Sequence, residues 1–364
     1  MSSCTNWTHL GIYALLAALG CNGGSGNGGG SDSPTDTDTD TDTDADSDAD
    51  TDADSDADAD TDSDTDSDIA SLEHQFAVAN GRDEPVLCVG DDGSLACVTE
   101  DRAPGAGNTS GARVVAASDV GVMVAGGWDG APYCVYWEPG TPWTECAATP
   151  ELIEVLAWGG GSWVAGTFGG DVQISGDDGA TWAAPSDVIS ARDIAFGDGM
   201  FATEGGMAST DGGDTWAALT QAGPGFPLPT FIGYGDGLWF TNSGALYWSD
   251  DAGTTWTQAA SFPFYAVNQI EDIAWGDGVF VAVSWDGTIS RSTDGDTWTD
   301  VTPAAAAGEF AAVSYSVTYD AWLVTGGQSE IWHSTDGGLT WSAVPYDNTA
   351  NPPFSLVPAV AAVP

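Results

Sequence analysis

The sequence predicts an all-β fold, a β-propeller of four-stranded blades, and two repeated phrases support this prediction. The first is a turn motif ending in tryptophan, which occurs five times between residues 175 and 341. Its copies begin 34, 40, 43 and 42 residues apart. A unit of about 40 residues with one turn signature is typical of a propeller, whose blades surround a central channel. The copies begin at Ser175, Ser209, Ser249, Ser292 and Ser334.

The second repeated phrase lies upstream of each turn motif. It reads IAFGDGMFAT from Ile194, IGYGDGLWFT from Ile232 and IAWGDGVFVAV from Ile273, with looser copies from Leu156 and Val313. Each copy is an apolar strand, a short turn and a second apolar strand. A third short strand follows before the turn motif, so one unit supplies the four strands of a blade.

Two further units are degenerate and lie at residues 75–100 and 114–146. Counting them gives seven blades, and six blades are the alternative. The apolar tail from Phe354 to Val363 is expected to complete the ring by pairing with the first blade, because closure hides the edges that an open sheet exposes. The predicted propeller domain spans residues 70–364.

The spelling Ser-x-Asp-x-Gly-x-Thr-Trp resembles the Asp-box, the bacterial neuraminidase repeat, although the copy at Ser292 is one residue shorter. The resemblance implies a hairpin turn between the third and fourth strands, on the face away from the catalytic pocket of sialidases. Asp and Ser side chains tighten such turns through nearby backbone N–H groups, and glycine supplies positive φ. We therefore predict a structural role for Asp177, Trp182, Asp211, Trp216, Asp251, Trp256, Asp294, Trp298, Asp336 and Trp341.

Sialidase activity is not expected, because the resemblance covers the turn motifs alone. Sialidases bind a carboxylated sugar through three arginines, and the Arg-Ile-Pro phrase that usually holds the first of them is absent. Only Arg113 and Arg192 stand at matching positions in their units. The whole repeat also resembles the propeller of photosystem II stability and assembly factors, which implies a non-enzymatic binding scaffold.

The charge of the chain restricts its partners. There are 55 acidic residues, five arginines and no lysine, so the net charge is −50. Such a surface repels nucleic acid and anionic lipid headgroups, whereas cations and basic partners are favoured. We expect no nucleic-acid partner, no cofactor and no defined metal site.

Residues 1–20 resemble a bacterial lipoprotein signal peptide. Leu10–Leu19 is an apolar run of ten residues, too short to span a bilayer as a stable helix, and Cys21 follows it closely. We predict that Cys21 is lipidated and anchors the protein to a membrane, at the outer membrane or cell surface. The alternative is an ordinary cleaved signal and a secreted protein, with Cys21 a spare thiol.

Residues 21–69 are predicted to form a disordered acidic stalk. A Gly/Ser-rich stretch comes first, and then Asp alternates with Thr, Ser or Ala up to Asp68. Such a segment cannot bury a core and extends by self-repulsion. Diffuse Ca²⁺ association is expected there, but the glycine and terminal glutamate of an EF-hand loop are missing.

The remaining cysteines predict two disulfides. If Asp92-Gly93 is a two-residue hairpin turn, counting outward places Cys88 opposite Cys97. Cys134 and Cys146 likewise flank a turn. Two such bridges suit an oxidising compartment. A four-cysteine zinc site is the alternative, although no Cys-x-x-Cys spacing is present.

The candidate binding site is a ring of residues at the start of the first strand of successive units. Because this strand is innermost in a propeller, the ring should surround the mouth of the channel. The alternative interpretation is that the charges pair with one another as ordinary rim residues, and that the tryptophans pack between blades. The ring comprises Arg113, Glu154, Arg192, Asp193, Glu271 and Asp272, with Trp128 and Trp285 on loops of the same face.

These features predict an exported, lipid-anchored, non-enzymatic propeller that binds a surface protein or a glycan. No nucleophile motif, phosphate loop or His-Glu-x-x-His motif occurs, and no catalytic residue is assigned. The alternative is a secreted glycoside hydrolase of sialidase-like fold that acts on a neutral polysaccharide, since paired carboxylates serve that reaction.

Overall fold

The structure is a computed structural model that describes residues 74–79, 85–91, 94–99, 112–128, 131–147, 151–219, 230–263, 270–327, 330–345 and 359–363. The predicted signal peptide, the lipidation of Cys21 and the acidic stalk lie outside these residues. Within them, all regular secondary structure is β-strand.

The strands are short, as expected for propeller blades. In chain order they are β1 (His74–Ala79), β2 (Pro85–Asp91), β3 (Ser94–Thr99), β4 (Ala112–Ala117), β5 (Val122–Trp128), β6 (Ala131–Trp137), β7 (Thr144–Glu145), β8 (Ile153–Gly159), β9 (Ser162–Thr167), β10 (Val172–Ser175), β11 (Ile194–Gly197), β12 (Met200–Thr203), β13 (Met207–Ser209), β14 (Ala217–Ala218), β15 (Ile232–Gly235), β16 (Leu238–Asn242), β17 (Leu246–Ser249), β18 (Thr257–Gln258), β19 (Ile270–Gly276), β20 (Val279–Ser284), β21 (Ile289–Ser292), β22 (Trp298–Asp300), β23 (Phe310–Ser316), β24 (Ala321–Gly326), β25 (Ile331–Ser334), β26 (Ser342–Ala343) and β27 (Ala359–Ala362).

The strands form seven antiparallel sheets, which confirms the seven-bladed propeller. Blade 1 is β27-β1-β2-β3, blade 2 is β4–β7, blade 3 is β8–β10, blade 4 is β11–β14, blade 5 is β15–β18, blade 6 is β19–β22 and blade 7 is β23–β26. In blade 3 a single bridge between Ile174 and Ala183 stands where the other blades have a fourth strand. Each innermost strand contacts the next around the ring.

The ring closes through a blade built from both ends of the propeller domain. Strand β27 is innermost in blade 1 and pairs with β1, so that Val78 faces Val360 and Ala77 faces Ala361. It lies between the innermost strands β23 and β4. The predicted pairing of the apolar tail with the first blade is confirmed. The hydrogen-bonding edge that β1 would otherwise expose is thereby covered.

Apolar side chains fill the space between neighbouring blades. The core consists of separate clusters, such as the one that joins Phe76 and Val78 of blade 1 to Leu323 of blade 7. Near the end of the innermost strands, an aromatic ring of one blade lies against a glycine of the preceding blade. A Cβ atom on Gly159 would overlap with the ring of Phe196, and one on Gly197 with the ring of Tyr234. Glycine therefore sets the close approach of the blades.

The five turn motifs all follow the third strand of a blade, and their side chains bond to the turn itself. In blade 4, the Ser209 hydroxyl donates to Asp211 Oδ1 at 2.8 Å and accepts from the Gly213 N–H at 3.0 Å. Asp211 also accepts from the backbone and hydroxyl of Thr215. These bonds, those from Thr215 first, lower the pKa of Asp211 to about 2. The same pattern recurs in the shorter copy, where Gly295 donates to Ser292.

Both predicted disulfides are present. Cys88 and Cys97 face each other across β2 and β3 with Cα atoms 4.0 Å apart, in the register expected from the turn. Cys134 and Cys146 are joined with Cα atoms 5.2 Å apart. Such bridges are typical of proteins outside the reducing cytosol.

Candidate functional site

The predicted ring residues meet at one end of the channel, which we call the channel mouth. Antiparallel alternation places the start of each first strand and the loop between second and third strands on the same face. In blade 4 this is seen directly, because Glu204, in the loop after β12, accepts from the backbone N–H groups of Arg192 and Asp193 at 3.1 Å each. The turn motifs between third and fourth strands lie on the opposite face.

A β-bulge presents several of these residues. In blades 2, 3, 6 and 7 the register between the first two strands shifts near the start of the innermost strand. The extra residue is Arg113, Glu154, Glu271 or Ala311 respectively. A bulge re-aims the side chain that it carries. Alignment of the repeats with one another matched these four positions, but it did not predict the bulge.

Blades 4 and 5 reach the same position without a bulge. Their innermost strands begin later, and a side chain from the second strand or the loop after it satisfies the leading backbone groups. Glu204 does so for Arg192, and Asn242 accepts from the N–H of Thr230 at 2.9 Å. Glu204 thus holds the backbone of the channel mouth, and burial raises its pKa.

The arginine side of the channel mouth spans blades 2 to 4. The Arg113 Nη1 lies 3.6 Å from Glu154 Oε1, and both side chains are largely buried. Burial raises the pKa of Glu154, while the charges of Arg113 and Arg192 act in the opposite direction. Arg192 is exposed. Two of the five arginines in the chain therefore flank one glutamate.

Two aspartates on the acidic side join neighbouring blades. Asp193 accepts from the Ile232 N–H of blade 5 at 2.7 Å, and Asp272 accepts from the Val313 N–H of blade 7 at 3.0 Å. Burial, the largest cause, raises the pKa of Asp193 to about 8 and that of Asp272 to about 6. Each occupies the same place in its blade, so the repeat reuses one inter-blade contact. Sequence reasoning gave these two aspartates only as members of a binding ring and missed this contact between blades.

Glu271 stands among carboxyl groups. Burial is the main cause that raises its pKa to about 8, and the charges of Asp193, Asp272 and Glu309 add to it. No hydrogen bond joins its side chain to another described residue. Glu309 was missed by the sequence alignment, which matched Ala311 to this position. An acidic residue two places upstream of that match was the available signal.

The aromatic residues predicted for this face are Trp128 and Trp285. Trp285 follows β20 and is half-buried. The side chain of Trp128 lies outside the described residues. Phe168, on the loop after β9, is 65 % exposed. The channel mouth is thus a polar ring, with arginines on blades 2 and 4 and carboxyls on blades 3, 4, 6 and 7.

Other features bear on the chemistry of the described residues. Within the described ranges, no group of three or more His, Cys, Asp or Glu side chains has an arrangement that could hold a metal ion. The same part of the chain contains no helix long and apolar enough to cross a membrane. A surface hollow of about 360 Å³ lies away from the channel mouth, beside blade 6.

Comparison with known proteins supports the fold alone. No protein-family model and no curated protein matches the chain. Among solved structures, a YCF48 bound to a D1 peptide is similar with a TM-score of 0.50 and 16% identity, over 66% of this chain and 83% of that one. Virginiamycin B lyase from Staphylococcus aureus is similar with a TM-score of 0.51 and 14% identity, over 65% of this chain and 85% of that one. Both likenesses show a propeller.

Proposed function

We propose that this protein is an exported, lipid-anchored binding module whose channel mouth takes a basic segment of a polypeptide partner. The observation that carries the proposal is Glu271, a largely buried carboxyl group with no hydrogen-bond partner among the described residues, close to three other carboxyl groups. A lysine or arginine side chain would supply the missing positive charge. The net charge of −50 favours the approach of such a partner.

One of the structures similar to this chain contains a protein ligand, but the similarity does not identify a ligand for this chain. The YCF48 structure contains a bound peptide, and its similarity to this chain is limited to the fold. Propellers host many unrelated functions, so the likeness to YCF48 assigns no ligand to this chain, and the carboxyl groups of the channel mouth carry the proposal. A glycan remains the second class of partner that the sequence predicted, and a glycan array run beside the peptide screen separates the two.

The decisive experiment is a peptide-display screen with the full chain as bait, followed by affinity measurements on the selected peptides. We expect enrichment of lysine and arginine, and weaker binding to Glu271→Gln. The matched control is Asp250→Asn, which removes one carboxylate from an exposed position on the turn-motif face. Measurements at pH 9, above the pKa of about 8 of Glu271, make the two variants equal in the charge they remove, so nonspecific attraction to the acidic chain affects them alike. Equal affinity of the peptides for the wild type and for Glu271→Gln would contradict the proposal.

The affinity should also depend on pH in a defined direction. A bound cation favours the ionised form of Glu271, whose pKa is raised to about 8 in the free protein. Binding therefore releases protons, and the affinity should increase as pH rises from 6 to 9. Calorimetry in two buffers of different ionisation enthalpy measures that release directly. Proton release that persists unchanged in Glu271→Gln excludes this carboxyl group as the binding residue.

A glycoside hydrolase remains the alternative function, and one observation favours it. Glu271, with a pKa of about 8, would be protonated near neutral pH beside Asp272, with a pKa of about 6. An acid and a base with separated pKa values are characteristic of such enzymes. Release of reducing sugars from neutral polysaccharides, abolished by Glu271→Gln and retained by Asp250→Asn, would establish the enzyme. The backbone contact that occupies Asp272 favours the binding module.

The anchor has its own test. Expression of the full chain in a bacterium grown with an alkyne-labelled fatty acid should label the wild-type protein. We expect Cys21→Ser to lose the label and Cys4→Ser to keep it, because the predicted signal peptide that carries Cys4 is removed. Label retained by Cys21→Ser would refute lipidation and leave an ordinary secreted protein.

A further inference from the structure

The chain that leaves one blade hydrogen-bonds with the turn motif of the next blade. At the seam between blades 3 and 4, the Ser186 N–H donates to the Asp214 carbonyl at 3.0 Å. In return, the backbone N–H of Trp216 donates to Asp187 Oδ2 at 2.8 Å. A short segment is thus held by one carbonyl and one N–H of the neighbouring turn.

The same arrangement recurs between blades 5 and 6. The Ser261 N–H donates to the Asp296 carbonyl at 3.3 Å, and the Trp298 N–H donates to Ser261 Oγ at 3.2 Å. The side chain of Asp296 accepts from the Ala260 N–H at 3.0 Å. In both seams the accepting carbonyl comes two residues before the tryptophan, and the held segment supplies a Ser or Asp side chain.

The seam between blades 6 and 7 has the receiving groups and lacks the held segment. Leu339 and Trp341 stand where Asp296 and Trp298 stand in blade 6. Among the described residues, neither the Leu339 carbonyl nor the Trp341 backbone N–H makes a hydrogen bond. Leu339 is 56 % exposed.

The sequence explains why the segment that leaves blade 6 does not bind the turn motif of blade 7. Val301 donates to the Ile289 carbonyl at 2.9 Å, as Ala259 donates to the Leu246 carbonyl at the corresponding point of blade 5. Two residues later, blade 5 has Ser261 and blade 6 has Pro303. Proline has no N–H to donate. The chain turns away instead, and Ala307 donates to Glu330 Oε1.

A hollow of about 360 Å³ occupies this seam. Arg291 spans it, with its Nε donating to the Gly337 carbonyl at 2.7 Å. At the corresponding position of blade 5, the Trp248 indole donates to Asp296 instead. The hollow is lined by Arg291, Thr293, Thr297, Thr299, Val301 and Leu339. We call this surface the outer groove.

We propose that the outer groove binds an extended segment of a partner polypeptide. A main-chain N–H of that segment donates to the Leu339 carbonyl, and a Ser or Asp side chain accepts from the Trp341 N–H. The occupant is inferred from the chain itself, because its own segments fill the equivalent place at two other seams. The segment at Ser261 is extended, since it forms a parallel bridge with Thr297. This mode combines main-chain hydrogen bonds with one side-chain contact, as in other cases of extended-peptide recognition. The site lies on the outer side of the ring and does not depend on the channel mouth.

The chain also supplies the probe. A synthetic peptide with the sequence of residues 257–263, TQAASFP, carries the segment that fills the seam between blades 5 and 6. With a fluorescent label, its binding to the full chain is measured by anisotropy. We expect saturable binding that weakens when the serine of the peptide is replaced by alanine. N-methylation of that serine, which removes the donated N–H, should weaken it further.

Two kinds of variant test the location. Leu339→Asp should bind the peptide about fivefold more tightly, because it restores the acceptor that Asp296 provides for Ala260 and one hydrogen bond is worth about 1 kcal/mol. Val301→Trp and Thr299→Trp fill the outer groove and should abolish binding. Leu339 and Thr299 are exposed, so at least one gain and one loss variant should fold, and thermal melts verify this.

Two results would overturn the proposal. One is unchanged affinity in both groove-filling variants. The other is absence of binding to both the wild type and Leu339→Asp, which would mean that the outer groove is unsuited to a partner or is filled by another part of the same chain. Unchanged affinity of the alanine peptide would show that the serine contact does not operate.

Discussion

At the residue scale, serine and aspartate in the turn motifs act on the backbone around them. Ser209 is almost fully buried, donates to Asp211 and accepts from Gly213. Because hydrogen bonds depress the pKa of Asp211 to about 2, that carboxylate contributes stability above its unfolded pKa of about 4 and loses it as pH falls through about 2. This turn chemistry was readable from residue types and spacing, because every partner lies within a few residues.

Ser209→Ala tests the turn chemistry. The substitution leaves the Gly213 N–H buried without its acceptor, and an unsatisfied buried group costs about 1–3 kcal/mol. We expect the free energy of unfolding, measured with urea, to fall by that amount. The matched control is Thr210→Ala, because Thr210 is the exposed neighbour. An equal loss in the control would show that the serine bonds are not the cause.

A second prediction at this scale concerns Glu271 and pH. Its folded pKa of about 8 lies above its unfolded value of about 4.3, so its favourable contribution is complete below the unfolded value and is lost as pH rises through about 8. We expect Glu271→Gln to reduce the decline in stability between pH 5 and pH 9, measured by urea unfolding. Asp250→Asn should leave the decline unchanged. A decline as steep in Glu271→Gln as in the wild type would contradict the burial of this carboxyl group.

At the element scale, the strands of each blade followed from the sequence, whereas the contacts between blades did not. The sequence IAFGDGMFAT directly predicts β11 and β12, because strand periodicity and a glycine turn are local signals. The contact of Asp193 with the Ile232 N–H joins residues from different blades. Its geometry depends on how blades pack, which one repeat does not encode. The bulges at Arg113 and Glu271 could not be predicted from the sequence for the same reason.

Gly159→Ala tests the packing between blades 3 and 4. A Cβ atom at this position would overlap with the ring of Phe196, so the blades must separate or the ring must move. Overpacking of this kind costs about 1–3 kcal/mol. The matched control is Gly176→Ala, where a Cβ atom would meet no other atom within 4 Å. Melting temperatures that fall equally in both variants would argue against the close contact.

At the scale of the whole molecule, the repeat length and the apolar tail together predicted a closed ring. What they did not reveal is that blade 1 has its innermost strand from the tail and its other three from residues 74–99. The unit at residues 75–100 lacks a turn motif, and in the structure it supplies three strands, β1 to β3. Strand β27 is the fourth strand of blade 1, and its pairing with β1 covers the hydrogen-bonding edges that the two strands would otherwise expose.

Removal of residues 359–364 should therefore open the ring. Strand β1 would lose its partner, and the innermost strands β23 and β4 would lose the strand between them. We expect the truncated chain to unfold at lower urea concentration and to associate through the freed edge, as seen by size-exclusion chromatography. Val360→Asp, which places a charge in the cluster around Phe76 and Val78, should show the same tendency more weakly. Deletion of Pro364 alone leaves β27 intact and is the control. If the truncated chain elutes and unfolds as the wild type does, then closure by β27 contributes nothing, and the ring is held by contacts between blades alone.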